Sequence, residues 1–322
     1  MFFPTAGIEV APWIPPLTAF VISFFTSMGG VSGAFLLLPF QLSFLGYTAP
    51  SVSATNQLFN IVAIPSGVYQ YWREGRMVWP LTWIVIAGTL PGVLLGAIVR
   101  VEYLPDPRQF KVFAAAVLLY IGIRMIRDLL GKNYSLQTRD RSEKRFRELV
   151  GNHPAGAKGA APAEPPGISA VRLTHFNLRR FGYTFYHERF DVSTWGIFSL
   201  SLVVGVVGGI YGIGGGAIIA PFFVTFFKLP VYTIAGATLM GTFVTSIAGV
   251  AFYQAIAPFY PNSSVAPDWL LGILFGLGGM AGMYFGAKCQ KHVPAKAIKW
   301  LLAGILVFTA LEYAVEAFSI YG

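Results

Sequence analysis

Apolar residues in this chain come in long blocks, and short polar or glycine-rich interruptions divide the blocks into elements. Leu17 to Met28 and Ala34 to Leu45 are apolar arms on either side of Gly29-Gly30-Val31-Ser32-Gly33. Each arm has ~12 residues, about 18 Å of helix at 1.5 Å per residue, against ~30 Å of bilayer hydrocarbon. Two short arms around a glycine break suggest a re-entrant hairpin; two complete spans are the alternative if Pro12 to Pro16 are submerged. A long helix is expected from Ala49 to about Tyr71, opening on the polar residues Ser51, Ser53, Thr55, Asn56, Gln57 and Asn60. Further helices are expected over Val78–Val99 and Phe110 to about Leu130.

The second half replays this pattern. Trp195 to Ile210, then Gly212-Ile213-Gly214-Gly215-Gly216, then Ala217 to Phe227 form another broken pair. Aligning Pro39 with Pro221 also places Gly30 on Gly212 and Gly33 on Gly215. Long helices follow over Tyr232–Ala257, Trp269–Ala287 and about Ala295–Ser319. Gly278, Gly282 and Gly286 repeat the fourfold spacing of Gly88, Gly92 and Gly96, which lets another backbone approach closely. Two copies of so long a repeat suit a transporter built from two halves.

Between the halves the composition changes. Residues 131–192 carry Lys132, Arg139, Arg141, Lys144, Arg145, Arg147 and several more arginines, and Asn152 to Gly167 is rich in Gly, Ala and Pro. Such a composition predicts a flexible segment. The net charge of +9 points to nucleic acid only until the charges are placed. In a loop between membrane helices they read as a cytoplasmic retention signal touching anionic lipid, so no nucleic-acid partner is expected. Inverted halves would put 20 of the 23 Lys and Arg residues on one face, leaving Arg100, Arg108 and Lys111 on the other. That division favours inversion with both termini outside. Met1-Phe2-Phe3-Pro4 lacks the basic region of a cleavable signal, so no processing is expected.

These patterns predict an all-α polytopic membrane protein of two pseudo-symmetric, inverted repeats. Each repeat is a glycine-broken re-entrant hairpin or helix pair plus three transmembrane helices. Residues 1–130 form the first repeat, 131–192 a basic cytoplasmic loop and 193–322 the second repeat. At 55 % hydrophobic and 11 % charged residues the chain is expected to cross a membrane several times, and the expected location is the plasma (inner) membrane.

The doubled glycine break followed by Pro39 and Pro221, the helix starts Ala54-Thr55 and Ala237-Thr238, and the two Gly-xxx-Gly-xxx-Gly helices together resemble the TauE/SafE family of sulfite and organosulfur-anion exporters. The resemblance covers residues 17–130 and 193–320. It implies an integral membrane transporter for small sulfur-containing anions such as sulfite, sulfonates or thiosulfate. Thiosulfate-importing relatives use several cysteines along their path, whereas this chain has only Cys289.

An oxyanion can be held without buried ions by half-helix N-termini and glycine-exposed amides. The candidate substrate-binding residues are therefore Gly30, Ser32 and Gly33 in the first break, and Gly212, Gly214, Gly215 and Gly216 in the second. Asn56, Asn60, Thr238 and Thr242 are the neutral side-chain donors beside them, with bonding between helices as the competing role. The four histidines show no metal spacing, so neither metal nor cofactor is expected. No Asp or Glu is expected mid-span, which leaves protons only as a candidate coupling ion. A membrane-embedded enzyme would want a catalytic His, Asp, Glu or Cys set beside the spans; an anion channel could share the neutral site. Neither is the leading reading, and no catalytic residue is assigned.

Overall fold

The structure is a computed structural model that describes residues 1–28, 32–73, 77–130, 171–177, 179–185, 188–216, 218–227, 229, 231–289 and 295–318. Gly30 and the segment expected to be flexible, 152–167, lie outside the described residues. The first half contains α1 (Ile14–Met28), α2 (Ala34–Ser43), α3 (Ser51–Ala63), α4 (Pro65–Arg73), α5 (Trp79–Glu102) and α6 (Pro107–Leu130). The second contains α7 (Thr194–Tyr211), α8 (Ile219–Phe226), α9 (Val231–Ile256), α10 (Trp269–Cys289) and α11 (Ala295–Phe318). Five described helices are long and apolar enough to cross a membrane.

Two departures from the sequence pattern stand out. The helix expected over Ala49–Tyr71 is divided at Ile64, because Pro65 has no N–H to donate and its ring crowds the preceding turn. Its counterpart α9, without an interior proline, runs unbroken for 26 residues. There is also strand structure. Phe2–Phe3 pairs with Ile8–Glu9 (β1, β2), and Val171–Phe176, Arg180–Phe185 and Glu188–Ser193 (β3 to β5) form an antiparallel meander leading into α7. Phe181 and Tyr183 are buried and stack at 5.3 Å, which gives this end of the basic segment a small apolar face.

The halves interlock instead of packing side by side. The broad interfaces are α5 with α7 and α1 with α10, so the first arm of each hairpin lies on the glycine ladder of the other half. A Cβ on Gly88 would stand 2.7 Å from Phe198 O, and those on Gly92 and Gly96 would collide with the carbonyls of Leu202 and Val206. Gly278, Gly282 and Gly286 meet the carbonyls of Pro16, Phe20 and Phe24 in the same four-residue register. Without side chains the backbones touch, giving dense van der Waals contact and Cα–H···O approaches where burial against lipid gives no driving force.

The registers fix relative directions. Rising numbers match along α5 and α7 and along α1 and α10, so these pairs run parallel. In contrast, Gln57 meets Gly249, Gly67 meets Leu239 and Tyr71 meets Gly236, so α3–α4 runs antiparallel to α9. Lys111 lies near Tyr313 and Gly122 near Val307, which makes α6 antiparallel to α11.

Each hairpin returns to the end at which it began. Ala6 N donates to Asp268 Oδ2 (3.3 Å) before α1, and Tyr47 OH lies 2.9 Å from Thr55 Oγ1 after α2; Thr55 Oγ1 in turn accepts from Asp268 N. Gly196 at the start of α7 sits against the ring of Phe227 at the end of α8. The second arms, 10 and 8 residues, give about 15 and 12 Å of helix, too little to cross alone.

Candidate functional site

The second glycine break is a tightly specified turn. Gly212 (φ 79°) caps α7 and Gly214 (φ 75°) follows it, both in the left-handed region that side chains resist. The amides of Gly212 and Ile213 reach back to Gly208 O, and Gly215 N donates to Thr245 Oγ1 at 3.2 Å. Among the described residues the amides of Gly214 and Gly216 find no partner. The turn is hemmed in by α3, α5 and α9: Gly212 packs on the Ser53 backbone, Gly214 on Thr242 and Ser246, Gly215 on Thr89 and Gly216 on Thr238. Close packing therefore explains the glycines as directly as ligand access does.

In the first break, Gly33 precedes α2 and its carbonyl accepts from Leu36 N and Leu37 N. A Cβ there would stand 2.8 Å from Ser23 Oγ. Ser32 Oγ accepts from Ala34 N and donates to Asn60 Oδ1 (3.2 Å), while Asn60 Nδ2 donates to Ile213 O (3.0 Å). One asparagine thus joins the two breaks. Tyr211 OH joins the hairpins a second time by donating to Phe35 O at 3.0 Å. Asn56 donates to Ala34 O (3.0 Å) and accepts from Gln41 Nε2 (3.3 Å).

The predicted donors thus fall into two groups. Ser32, Gly33, Asn56, Asn60, Gly212, Gly214, Gly215 and Gly216 come together around the two breaks, and all are buried. Thr238 and Thr242 lie beside Gly216 on α9, but their hydroxyls donate to Ala235 O (3.1 Å) and Thr238 O (2.9 Å) of their own helix. Asn56 and Asn60 each spend one of two amide protons on a backbone carbonyl and keep the other. Among the described residues no group of three or more His, Cys, Asp or Glu side chains comes together.

The sequence profile described as Sulfite exporter TauE/SafE matches residues 16–313, from α1 through most of α11. The chain belongs to that family. Two curated relatives, both of Bacillus subtilis (strain 168), carry the names probable membrane transporter protein YdhB and YunE. The chain is 25 % identical to YdhB over 122 residues, 38 % of this chain and 46 % of the relative. To YunE it is 23 % identical over 118 residues, 37 % of this chain and 40 % of the relative. The match thus spans under half the length of either. No solved structure matches. Family and relatives are named as membrane transporters, not enzymes, and the helices fit a multi-pass integral protein of the plasma membrane.

Two buried groups of this TauE/SafE protein were not legible as such in the sequence. Arg100, expected at an outer helix end, is fully buried. Its guanidinium donates to Leu104 O and to Thr48 O (3.2 Å) and stacks 3.7 Å from the centre of the Phe110 ring. Asp268, in the loop before α10, is 3 % exposed and caps that helix by accepting from Leu271 N at 3.0 Å. An acid just before an apolar run was the signal for it.

Proposed function

We propose that this protein is a secondary transporter exporting a small sulfur-containing anion, of the sulfite, sulfonate or thiosulfate class, through a mid-membrane site between its glycine breaks. The observation that carries the reading is the Ser32–Asn60–Ile213 connection, which holds both breaks around one side chain. Free amides there supply partial positive charge without a buried ion, suiting a site that must bind an anion and release it. Gly30, Gly33 and Gly212 to Gly216 supply backbone; Ser32, Asn56 and Asn60 supply side chains. Thr238 and Thr242 join them only by giving up their own helix carbonyls.

The two halves are inverted repeats in this reading. Its support is the antiparallel register of the equivalent helices α3–α4 and α9, and of α6 and α11. The hairpins then enter from opposite faces, and their breaks meet where alternating access requires a shared site. An anion leaving an inside-negative cell gains ~2.3 kcal/mol per charge per 100 mV, so export needs no further driving ion.

Purified protein in liposomes, loaded in turn with sulfite, thiosulfate, sulfoacetate, taurine, sulfate and a carboxylate, tests the proposal. Saturable counterflow of one or more of the sulfur anions is expected. Non-saturating electrodiffusive flux would make the protein a channel, and no flux of any sulfur anion would end the reading. An imposed proton gradient in the same vesicles decides whether protons are coupled.

A further inference from the structure

Two fully buried side chains beside the second break have polar atoms with no partner: Gln57, at both Oε1 and Nε2, and Ser246, at Oγ. Their placement follows from helical spacing. Ser53, Gln57 and Asn60 recur at intervals of four and three and so share one face of α3. The outer two members are bound to the break, Ser53 Oγ to Ile210 O (2.9 Å) and Asn60 Nδ2 to Ile213 O (3.0 Å). Gln57, between them, is the idle member. Its amide presses on α9 where a Cβ on Gly249 would overlap Oε1. One turn away on that helix, Ser246 Oγ would stand 2.9 Å from a Cβ on Gly214, whose amide also has no partner among the described residues.

A buried amide with neither atom bonded is costly, and a leucine of similar size would relieve the cost. We propose that Gln57 and Ser246 are further side chains that hold the transported anion, beside Ser32, Asn56 and Asn60, and that the anion is a small oxyanion carrying one proton. Gln57 Nε2, Ser246 Oγ and the Gly214 amide donate to its charged oxygens, and Gln57 Oε1 accepts from its protonated oxygen. Thr238 and Thr242, bonded to their own helix, then serve as struts that position the breaks. This assignment rests on the transporter reading above and names further ligands of the same site.

The test is sulfite counterflow in proteoliposomes with Gln57→Leu and Ser246→Ala, beside thermal unfolding of each variant. Loss of a hydrogen bond to a charged group is expected to raise KM at least about tenfold for Gln57→Leu, with thermal stability unchanged or higher. A purely packing role would give the opposite pattern, lower stability at unchanged KM, and would overturn the assignment. Measured across the second ionisation of sulfite, the wild type should prefer the protonated anion and Gln57→Leu should not; a wild type without that preference, or a preference kept in full by the variant, would overturn the proton-bearing class. If Gln57→Leu does not fold, Gln57→Asn and Gly249→Ala, which shorten or displace the amide, carry the same readout. Wild-type protein that moves no anion defeats the transporter reading, whereas wild-type flux with unaltered KM in every variant defeats this assignment alone.

Discussion

Gly205 on α7 offers the sharpest test of how the two halves are held together. A Cβ there would stand 2.6 Å from Thr89 O and 2.9 Å from Thr89 Cα, both main-chain atoms of α5 that cannot rotate away. Reaching the 3.4 Å of ordinary contact would move one backbone from the other by about 0.8 Å. The shift would spread through the whole ladder, because Gly88, Gly92 and Gly96 rest on the same pair of helices. Overpacking of this kind costs roughly 1–3 kcal/mol, while alanine's better helix propensity returns up to about 1 kcal/mol. Gly205→Ala should therefore be destabilised by about 1–2 kcal/mol. Gly304 on α11 provides the control, since a Cβ there meets nothing within 4 Å. Gly304→Ala should gain the propensity term alone, up to about 1 kcal/mol. Thermal unfolding of both purified variants in detergent measures the contrast. Equal melting temperatures for Gly205→Ala and Gly304→Ala would refute the claim that backbone contact along α5 and α7 locks the halves.

Three further outcomes follow from the same contacts. Asn60→Leu leaves Ile213 O and the Ser32 hydroxyl proton without their partner in the interior, and unfolding measurements should show a loss of roughly 2–4 kcal/mol together with lost flux. Arg100→Lys keeps the charge but not the planar fork that reaches Leu104 O and Thr48 O, so a loss of about 1–3 kcal/mol is expected; unchanged stability would show that charge alone matters there. A tag at the C-terminus should be reached by impermeant reagent from outside intact cells, whereas access only from the cytoplasm would overturn the inverted topology.

Much of this fold was legible in the sequence because membrane proteins write it in lengths and spacings. The second arm after each break is too short to span, 10 and 8 residues, and the two ends of each hairpin lie together, although the first arm of the second pair, α7, is itself 18 residues long. The fourfold glycine spacing announced close helix contact, yet it could not name the partner. That each ladder grips the first arm of the other half is a long-range fact carried by matching backbone surfaces. Pro65 divides a helix that hydropathy alone read as continuous, since apolar character says nothing about a missing N–H. At the site, the asparagines were visible as a helical pair, Asn56 and Asn60, but their duty was not. Which break a side chain bonds depends on how α3 meets both hairpins. Arg100 misled for a related reason: a charge near a helix end reads as interfacial unless a ring such as Phe110 and two free carbonyls happen to enclose it.

The central claim is that the two breaks form one anion site. It is tested most directly by counterflow of labelled sulfite in liposomes containing folded Gly215→Leu protein beside the wild type, with Ala160→Leu, in the Gly-, Ala- and Pro-rich stretch between the halves, as control. Gly215 packs directly on Thr89 within the second break, so a leucine there must displace the turn. Saturable flux is expected in the wild type, the same flux in Ala160→Leu, and none in Gly215→Leu that is inserted and monodisperse. Normal flux through folded Gly215→Leu would contradict it.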